Sequence, residues 1–394
     1  MTALILVSMA LEILLLLILL LHSRAHVLRS FPERGPSAAV TGAWPAYPRV
    51  ALIVPLTGNT PVMRPALESL LNQAYPDFET VFVTRDLEDP ATALVRSLLS
   101  RRAKARHVVS GPATGCSQKN HNILAAVGTL DDAAEVLVFC DSTHTAPPHF
   151  LRELIHPVVT GAAVLTSGFH RIIPGDTRLG TLGMLQTVMS LHLLHGFHAI
   201  ALPWGGATAV LRPAFRDHQV AGVLGQNVLD DFPLGLRLLK AGIRSVPVPG
   251  AILNTPLSGQ TLDGWSAWLT RQLLYLKYIM PATWLAAALA VWVLAAPIIF
   301  SVVAALGGLA GLAPPSLALT GLGFLALLTG VGTWCRSLVP YRVPLGPWLL
   351  AFYANLFMIC WCYLKTWRTD TIAWRGISYR VTWGGRVREI IQKG

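Results

Sequence analysis

The sequence predicts an α/β domain with a mixed, mostly parallel sheet, accompanied by α-helical transmembrane segments. Two observations support this prediction: strongly apolar runs near both ends of the chain, and short strands that alternate with helices between them. The 394 residues are 53% hydrophobic and only 13% charged, whereas soluble proteins carry about 25% charged residues. This composition is typical of a membrane protein.

The first apolar run, Leu4 to Leu21, contains a single charged residue, Glu12. Its length suits a crossing of a hydrocarbon core about 30 Å thick. A signal peptide is the competing interpretation, but the run is long and no Ala-x-Ala-like cleavage site follows it. Basic residues follow the run, so the positive-inside rule places that flank in the cytoplasm. Residues 1–23 are therefore expected to form an uncleaved transmembrane anchor.

A second apolar region is predicted to form a C-terminal transmembrane bundle over residues 281–364. Glycine pairs, proline pairs and a basic stretch divide this region into three segments. The predicted spans lie near residues 282–304, 316–334 and 346–364. Between the anchor and the bundle, residues 48–280 are long enough for one cytoplasmic domain with its own core. The chain is thus expected to be a multi-pass integral membrane protein.

Residues 365–394 form a basic tail, and the positive-inside rule predicts that this tail lies in the cytoplasm. Three complete crossings after a cytoplasmic domain would instead leave it on the opposite side. One of the three segments is therefore expected to be re-entrant or interfacial.

Strands alternate with helices of about ten residues over the first part of the domain. The predicted strands are residues 49–55, 78–84, 107–110 and 136–140, and the predicted helices are residues 62–73, 92–102 and 118–128. This alternation indicates βαβ units and a mostly parallel sheet. In such sheets ligands bind beyond the carboxyl ends of the strands, so polar residues that directly follow strands are candidate site residues.

Two acidic segments directly follow strands, and a third lies in a later loop. Glu88 and Asp89 follow the second strand, Asp141 follows the fourth, and Asp230-Asp231 occupies the later loop. Each acid taken alone is more often a solvated turn or a helix cap. Together they favour a binding site for a nucleotide diphosphate, because such a group requires a divalent cation held by carboxylate oxygens. Sugar transfer also requires a carboxylate that deprotonates the acceptor hydroxyl.

At these residues the chain resembles family 2-type glycosyltransferases with a GT-A fold, and specifically the ceramide glucosyltransferases. The resemblance covers most of the chain in collinear order. The matching segments are Glu88-Asp89-Pro90-Ala91, Ser117 to Asn122, Cys140-Asp141-Ser142, Asp230-Asp231-Phe232 and the ending Trp374-Arg375-x-x-x-Tyr379-Arg380. Two departures stand out. The family's (Gln/Arg)-x-x-Arg-Trp motif keeps only Arg271, and its Asp-x-Asp motif is reduced to Asp141 with Thr143.

The resemblance implies roles for individual residues. Asp231 is expected to be the catalytic base, and Asp141 is expected to bind Mg²⁺ or Mn²⁺ on the donor diphosphate. The expected donor-binding residues are Glu88, Asp89, Lys119, Asn122, Asp141 and Arg271. Lys119 begins a predicted helix, where amides and a cation could both face phosphate; as a lone lysine it would be a surface residue. Arg271 could equally be a juxtamembrane arginine whose head reaches the lipid interface.

The apolar stretch from Leu179 to Trp204 is predicted to contain a helix in the membrane interface and to border the acceptor. The acceptor-side candidates are His192, His195, His198, Trp204, Gly205, Gly206 and Asp230. A zinc site is disfavoured, because steps of three residues drift around a helix and no carboxylate or cysteine lies nearby in sequence. Trp265 and Trp268 are interpreted as interface anchors.

The chain is therefore expected to be an inverting hexosyltransferase that moves glucose from UDP-glucose to a ceramide-like lipid. Other lipid acceptors remain open: a hopanoid, diacylglycerol or a polyprenyl phosphate. A processive polysaccharide synthase is an alternative, disfavoured by the broken arginine motif and the small bundle. A transporter or non-catalytic scaffold is disfavoured because no charged residue lies inside the C-terminal spans.

The net charge of +11 does not indicate nucleic-acid binding, because the excess lies beside the apolar runs and in the tail. Anionic lipid headgroups explain that placement better. The five cysteines form no CxxC pair, which is typical of a reducing compartment.

Overall fold

The computed structural model describes residues 2–31, 35–42, 44, 46–99, 104–198 and 201–392. The chain forms two compact units. The helical unit comprises Met1–Pro32, Ile172–Gly196 and Leu257–Thr369; the sheet unit comprises Glu33–Arg171, Phe197–Pro256 and Asp370–Gly394.

The elements follow one another along the chain with these bounds. The strands are β1 (Val50–Pro55), β2 (Phe78–Thr84), β3 (Ala105–Val109), β4 (Val136–Cys140), β5 (Leu165–Pro174), β6 (Ala207–Leu211), β7 (Ser245–Leu257), β8 (Thr371–Trp374), β9 (Ile377–Thr382) and β10 (Arg386–Gln392). The helices are α1 (Thr2–Ser30), α2 (Ala38–Thr41), α3 (Met63–Leu71), α4 (Pro90–Leu99), α5 (Gln118–Gly128), α6 (Phe150–Val159), α7 (Leu179–His195), α8 (Arg212–Asp217), α9 (Val220–Leu224), α10 (Asp231–Leu239), α11 (Leu262–Ile279), α12 (Pro281–Leu309), α13 (Pro315–Arg336) and α14 (Leu345–Thr366).

A seven-stranded mixed sheet in the order β3-β2-β1-β4-β6-β5-β7 confirms the predicted fold class. The first four strands are parallel, and β6 runs antiparallel to both β4 and β5. All six residues of β1 are buried, because helices cover both faces of the sheet. Val50, Leu52 and Val54 pack into one core cluster, and Ala51 and Ile53 pack into the other.

The parallel strands bring polar side chains to one edge of the sheet. Pro55 of β1 lies in register with Val83 of β2, so both strands end together. β4 ends at Cys140, directly before Asp141. α5 begins after β3 with Ser117 as its N-cap, whose hydroxyl accepts a hydrogen bond from the Asn120 backbone N–H. This geometry places the start of α5 beside the ends of the strands, as expected for a ligand-binding edge.

The basic tail folds into a three-stranded antiparallel sheet, which we call the tail sheet (β8, β9 and β10). β8 and β9 are joined by the two residues Arg375 and Gly376, whose φ angles are 50° and 80°. Positive φ at both central residues is the pattern of a type I′ hairpin turn. The tail sheet is bound to the rest of the sheet unit through Val228 N–H to Gly385 O and Val387 N–H to Gln226 O, both at 2.9 Å.

Four helices of the helical unit are long and apolar enough to cross a membrane: α1, α12, α13 and α14. The helical unit also contains α7 and α11, which carry few charges. α7 is joined to α14 by hydrogen bonds from Gln186 to the Trp348 carbonyl (2.8 Å) and from Thr187 to Asn355 (2.6 Å). Between apolar helices such bonds satisfy polar groups that would otherwise be buried without partners.

The interpretation of Trp265 as an interface anchor is wrong. Its side chain is fully buried, and its indole N–H donates to Thr187 Oγ1 at 3.0 Å. α11 turns this face towards α7, so the ring is a packing element of the helical unit. A tryptophan buried in this way needs a partner for its N–H, and Thr187 supplies one.

Candidate active site

The start of α5, the end of β4 and the loop before α10 bring four charged side chains together. Lys119 Nζ lies 2.8 Å from Asp141 Oδ1 in an ion pair. It also lies 3.0 Å from Asp230 Oδ2, although this second contact lacks hydrogen-bond geometry. Asp231 follows Asp230 directly. We call Lys119, Asp141, Asp230 and Asp231 the acidic cluster; three sites predicted separately from the sequence thus meet in space.

Lys119 is the cation of this cluster. Burial alone would lower its pKa, but the carboxylates of Asp141 and Asp230 outweigh burial and hold the pKa above its usual value. For Asp141, burial alone would raise the pKa, but the charge of Lys119 and its hydrogen bond to the carboxylate hold the pKa below the usual value. Both groups are therefore charged near neutral pH. Since the ammonium is engaged by carboxylates, it is a structural cation of the site as well as a candidate phosphate ligand.

Asp231 differs from the other acids in its environment. Its Oδ2 accepts a hydrogen bond from Gly205 N–H at 2.9 Å, and its Oδ1 accepts one from Phe232 N–H at 2.7 Å. Burial and the neighbouring charge of Asp230 nevertheless raise its pKa to about 7. A carboxylate with a pKa near neutrality is suited to accept a proton. Asp230 occupies the N-cap position of α10 but makes no side-chain capping bond, so neither acid acts as an ordinary helix cap.

The glycines predicted on the acceptor side contact this cluster directly. A Cβ at Gly205 would collide with the carboxylate of Asp230. The Gly205 carbonyl accepts a hydrogen bond from Lys119 Nζ at 3.3 Å, and the Gly206 carbonyl accepts one from Asp141 N–H at 3.2 Å. The glycine pair therefore lets the backbone approach three members of the cluster, which a side chain would prevent.

Sequence reasoning missed a pair of histidines, His144 and His170, which lies beside Asp141 and packs against the predicted residue Trp204. His144 Nε2 lies 3.9 Å from Asp141 Oδ2, and burial lowers the pKa of His144, so the ring is neutral near pH 7. The Nδ1 atoms of His144 and His170 each lie 2.8 Å from Thr255 Oγ1. His170 stacks on Trp204 with ring centroids 4.8 Å apart. The spacing Asp141-x-x-His144 was a usable signal, but His170 and Thr255 come from distant strands.

Asp89 accepts hydrogen bonds from the loop after β1 and from the start of α4. Its carboxylate accepts hydrogen bonds from Thr57 Oγ1 (3.0 Å), Gly58 N–H (2.9 Å) and Ala91 N–H (2.8 Å). It thereby fastens the loop after β1 to the start of α4. Glu88 is exposed at the same edge. Both residues keep their predicted donor-binding role as a proposal.

Two asparagines of α5, Asn120 and Asn122, donate hydrogen bonds to the backbone segments around the site. Asn122 is buried and donates to the Val83 carbonyl at 3.2 Å, which fixes α5 to the end of β2. Asn120 donates to the carbonyls of Leu224, Asn227 and Leu229, at 3.0, 2.9 and 3.1 Å. These bonds hold the chain that leads into Asp230. We therefore expect both residues to act on the donor through the backbone segments that they position.

Among the residues that the structure describes, no three Asp, Glu, His or Cys side chains form a ready-made metal cluster. A full protein cage is not needed for Mg²⁺, which is usually held by one or two carboxylates together with substrate phosphates. The side chain of Asp141 is 32% exposed, and neutral His144 lies beside it. The donor set around Asp141 therefore fits a divalent cation that shares its ligands with a diphosphate.

The match to a known family decides the class of this protein. The family model described as glycosyl transferase family 21 matches residues 4–387, almost the whole chain. The chain belongs to glycosyl transferase family 21. It is therefore a glycosyltransferase, as the resemblance implied.

One solved structure supports the GT-A fold of this family 21 chain. The chain is similar to the mannosyltransferase PcManGT from Pyrobaculum calidifontis in complex with GDP-Man and Mn²⁺, with a TM-score of 0.50 and 17% identity over 89% of this chain and 99% of that one. It is less similar to glucosyl-3-phosphoglycerate synthase from Mycobacterium tuberculosis in complex with Mn²⁺ and UDP-glucose, with a TM-score of 0.37 and 16% identity over 62% of this chain and 84% of that one.

The remaining predicted site residues of the family 21 chain lie outside the acidic cluster. Arg271 lies on α11 in the helical unit. His192 and His195 lie on α7 in the helical unit, where the fully buried His192 ring packs against Phe31 at 4.8 Å. His198 belongs to the sheet unit and lines a cavity of about 30 Å³. The acceptor role of the three histidines stays a prediction.

Proposed function

We propose that this family 21 glycosyltransferase transfers a hexose, with glucose from UDP-glucose as the foremost donor, to a hydroxylated, ceramide-like membrane lipid. The observation that supports this best is the acidic cluster at the carboxyl ends of the strands in a chain with four span-length helices. The cluster offers a metal-binding carboxylate and a poised base in one site. The helices would keep the enzyme at the surface where a lipid hydroxyl is found.

The donor half of the site is built around Asp141. Asp141, with His144 beside it, would hold Mg²⁺ or Mn²⁺ on the donor diphosphate. The bound cation supplies Lewis-acid stabilisation of the leaving nucleotide. Lys119 holds Asp141 in place through its ion pair at 2.8 Å. Glu88 and Asp89 lie at the end of β2, where the nucleoside of the donor is proposed to bind.

The acceptor half of the site is built around Asp231. Its hydrogen bonds from Gly205 and Phe232 orient the carboxylate. In the proposed reaction the lipid hydroxyl gives its proton to Asp231 while its oxygen attacks the anomeric carbon. The bond from that carbon to the diphosphate breaks, and the pair of electrons leaves with the nucleotide. Attack opposite the leaving group inverts the anomeric centre.

The acceptor wall is proposed to include Trp204 and the His144–His170 pair. Trp204 contacts both rings, with centroids 5.4 Å and 4.8 Å away. Aromatic faces suit the apolar side of a sugar ring or a lipid near its headgroup. Asp230, beneath Gly205, is buried and is proposed to shape this wall through its charge rather than to contact the acceptor.

The test is a transfer assay with the purified protein in lipid. A panel of UDP- and GDP-sugars is supplied with a total lipid extract, and products are identified by mass spectrometry. We expect a hexosyl lipid from UDP-glucose, lost on chelation of divalent cations and restored by Mn²⁺ or Mg²⁺. A soluble or polymeric product would overturn the lipid acceptor, and undiminished transfer in excess chelator would overturn the metal.

A further inference from the structure

Lys119 leaves the donor site short of positive charge. Its ammonium contacts the carboxylates of Asp141 and Asp230, so it is already surrounded by protein anions. The acidic cluster holds three carboxylates against this one cation. A nucleoside diphosphate would add further negative charge at the same edge. A second protein cation facing Asp141 would therefore favour binding of the diphosphate.

The tail sheet presents such a cation. Arg375 occupies the first position of the β8–β9 turn with a φ of 50°, and its side chain is exposed. Left-handed backbone is unfavourable for a non-glycine residue, and such turns favour Asn, Asp or Gly at this position. Arg375 lies four residues before Tyr379, whose hydroxyl is bonded to α5 one residue before Lys119.

The second arginine of the tail motif behaves differently. Arg380 lies 2.6 Å from Glu389 Oε2 and 3.7 Å from Asp370 Oδ2, so it is paired within the tail sheet. Of the contacts formed by the described residues, none is a hydrogen bond or an ion pair from the Arg375 guanidinium. The two arginines therefore divide into one that stabilises the tail sheet and one that remains available to an anion.

Hydrogen bonds join the tail sheet to the elements that carry the acidic cluster. Tyr379 is buried, and its hydroxyl accepts a hydrogen bond from Gln118 N–H at 3.0 Å, one residue before Lys119. At the opposite end of β9, Gly385 and Val387 are bonded to Val228 and Gln226, which lead into Asp230 and Asp231. The tail sheet thus connects the start of α5 with the loop that carries Asp230 and Asp231. These contacts place the tail sheet beside the acidic cluster.

We infer that the tail sheet completes the donor site and that Arg375 binds the diphosphate of the nucleotide sugar. The guanidinium fork matches phosphate oxygens and would stabilise the charge that develops on the leaving nucleotide. This inference rests on the proposed function, because it needs a nucleotide-sugar donor. It assigns to the tail a direct part in the reaction rather than membrane attachment alone.

The test compares binding of UDP, GDP and uridine to full-length variants in saturating Mn²⁺. Arg375→Gly removes the guanidinium and suits a positive φ, so its melting temperature should equal or exceed that of the wild type. We expect its affinity for the diphosphate to fall about tenfold or more, as for a lost charge-assisted hydrogen bond. Uridine binding should not change. Arg375→Lys should recover part of the loss.

The matched control is Arg388→Gln, which removes one exposed positive charge from the same tail sheet. It should bind UDP as the wild type does. Equal UDP affinity in Arg375→Gly and wild type, or an equal loss in Arg388→Gln, overturns the inference while transfer by the wild type stands. A wild type that neither binds UDP or GDP nor transfers any sugar overturns the proposed function as well.

Discussion

At the scale of residues, the site depends on one buried cation among three acids. Asp230 is 2% exposed and has Lys119 as its neighbouring positive charge. The net worth of a buried ion pair is often small, but removal of one partner leaves an uncompensated charge in the interior. Lys119 is therefore expected to matter for folding before any question of catalysis arises.

Lys119→Met should lower the free energy of unfolding by about 3–5 kcal/mol, the usual cost of breaking a buried pair from one side. Thermal unfolding in detergent would measure the change. Lys119→Met with Asp230→Asn should recover much of the loss, because the stranded charge is gone. Lys240→Met, at an exposed position, should stay within about 0.5 kcal/mol of the wild type. Equal melting of all the variants would show that the cluster is not coupled in this way.

The pH dependence of transfer follows from Asp231. Its pKa is raised to about 7 by burial and by Asp230, and a base must be deprotonated to act. Transfer should therefore fall about tenfold for each pH unit below about 7 and level off above it. An Asp230→Asn variant removes one cause of the raised pKa and should move the profile to lower pH. A profile flat between pH 5 and 8 would contradict the assignment of the base.

At the scale of elements, the sequence was most informative where local pattern and burial agree. The predicted strands 78–84 and 136–140 and the helix 118–128 match β2, β4 and α5 residue for residue. Strongly apolar runs of strand length, bounded by turns, are recognisable without any tertiary contact. The position directly after β4 then identified Asp141 as a candidate site residue.

Elements that depend on distant pairing were not predicted. The sequence predicted only a basic tail where the tail sheet lies. Its strands are stabilised by pairing with one another and by hydrogen bonds to Gln226 and Val228, which local sequence does not reveal. β7 contains Pro247 and Pro249, and prolines within a segment argue against assigning it as a strand. His170 and Thr255 reach His144 from β5 and β7, so no spacing in the sequence could have joined them.

The glycine pair after Trp204 gives a test at this scale. Gly205→Ala places a Cβ against the Asp230 carboxylate, so either the acid or the backbone must shift. We expect transfer to fall at least tenfold, as displacement of a catalytic group by about 1 Å can cost a hundredfold. Gly222→Ala is the control, because its Cβ would meet nothing within 4 Å. If both variants keep full activity, the close approach at Gly205 has no role.

At the scale of the whole molecule, the tail restricts the membrane topology. The chain leaves the sheet unit at Pro256 and returns to it at Asp370. Parts of one compact unit must lie on one side of a membrane, so the intervening chain crosses an even number of times. Three span-length helices lie between those points. We therefore expect one of them not to cross.

α14 is the helix expected not to cross. α12 and α13 pack as a hairpin with Gly321 against Ser301, so the start of α12 and the end of α13 lie at the same end. Arg336, at the end of α13, donates to the Val343 carbonyl just before α14. Tyr363, near the end of α14, donates to the Trp284 carbonyl at the start of α12. Both ends of α14 are thus fixed at the open end of the hairpin.

Labelling of introduced cysteines tests this topology. The five natural cysteines are buried, which leaves little background for a membrane-impermeant maleimide. Thr382→Cys in the tail and Asp132→Cys in the sheet unit are both at exposed positions. They should be labelled from the same side, which the positive-inside rule predicts to be the cytoplasm. Labelling from opposite sides would show that all three helices cross.

Asp231 is proposed to take the proton from the acceptor hydroxyl, and the turnover of Asp231→Asn tests this role. Asparagine keeps an oxygen for the Gly205 or Phe232 N–H but cannot accept the proton at neutral pH. We expect a folded protein that binds UDP as tightly as the wild type and transfers sugar at least a hundredfold more slowly, by the usual contribution of a general base. Near-normal turnover of Asp231→Asn would contradict the assignment, and a large loss in Asp230→Asn alone would transfer the role to Asp230.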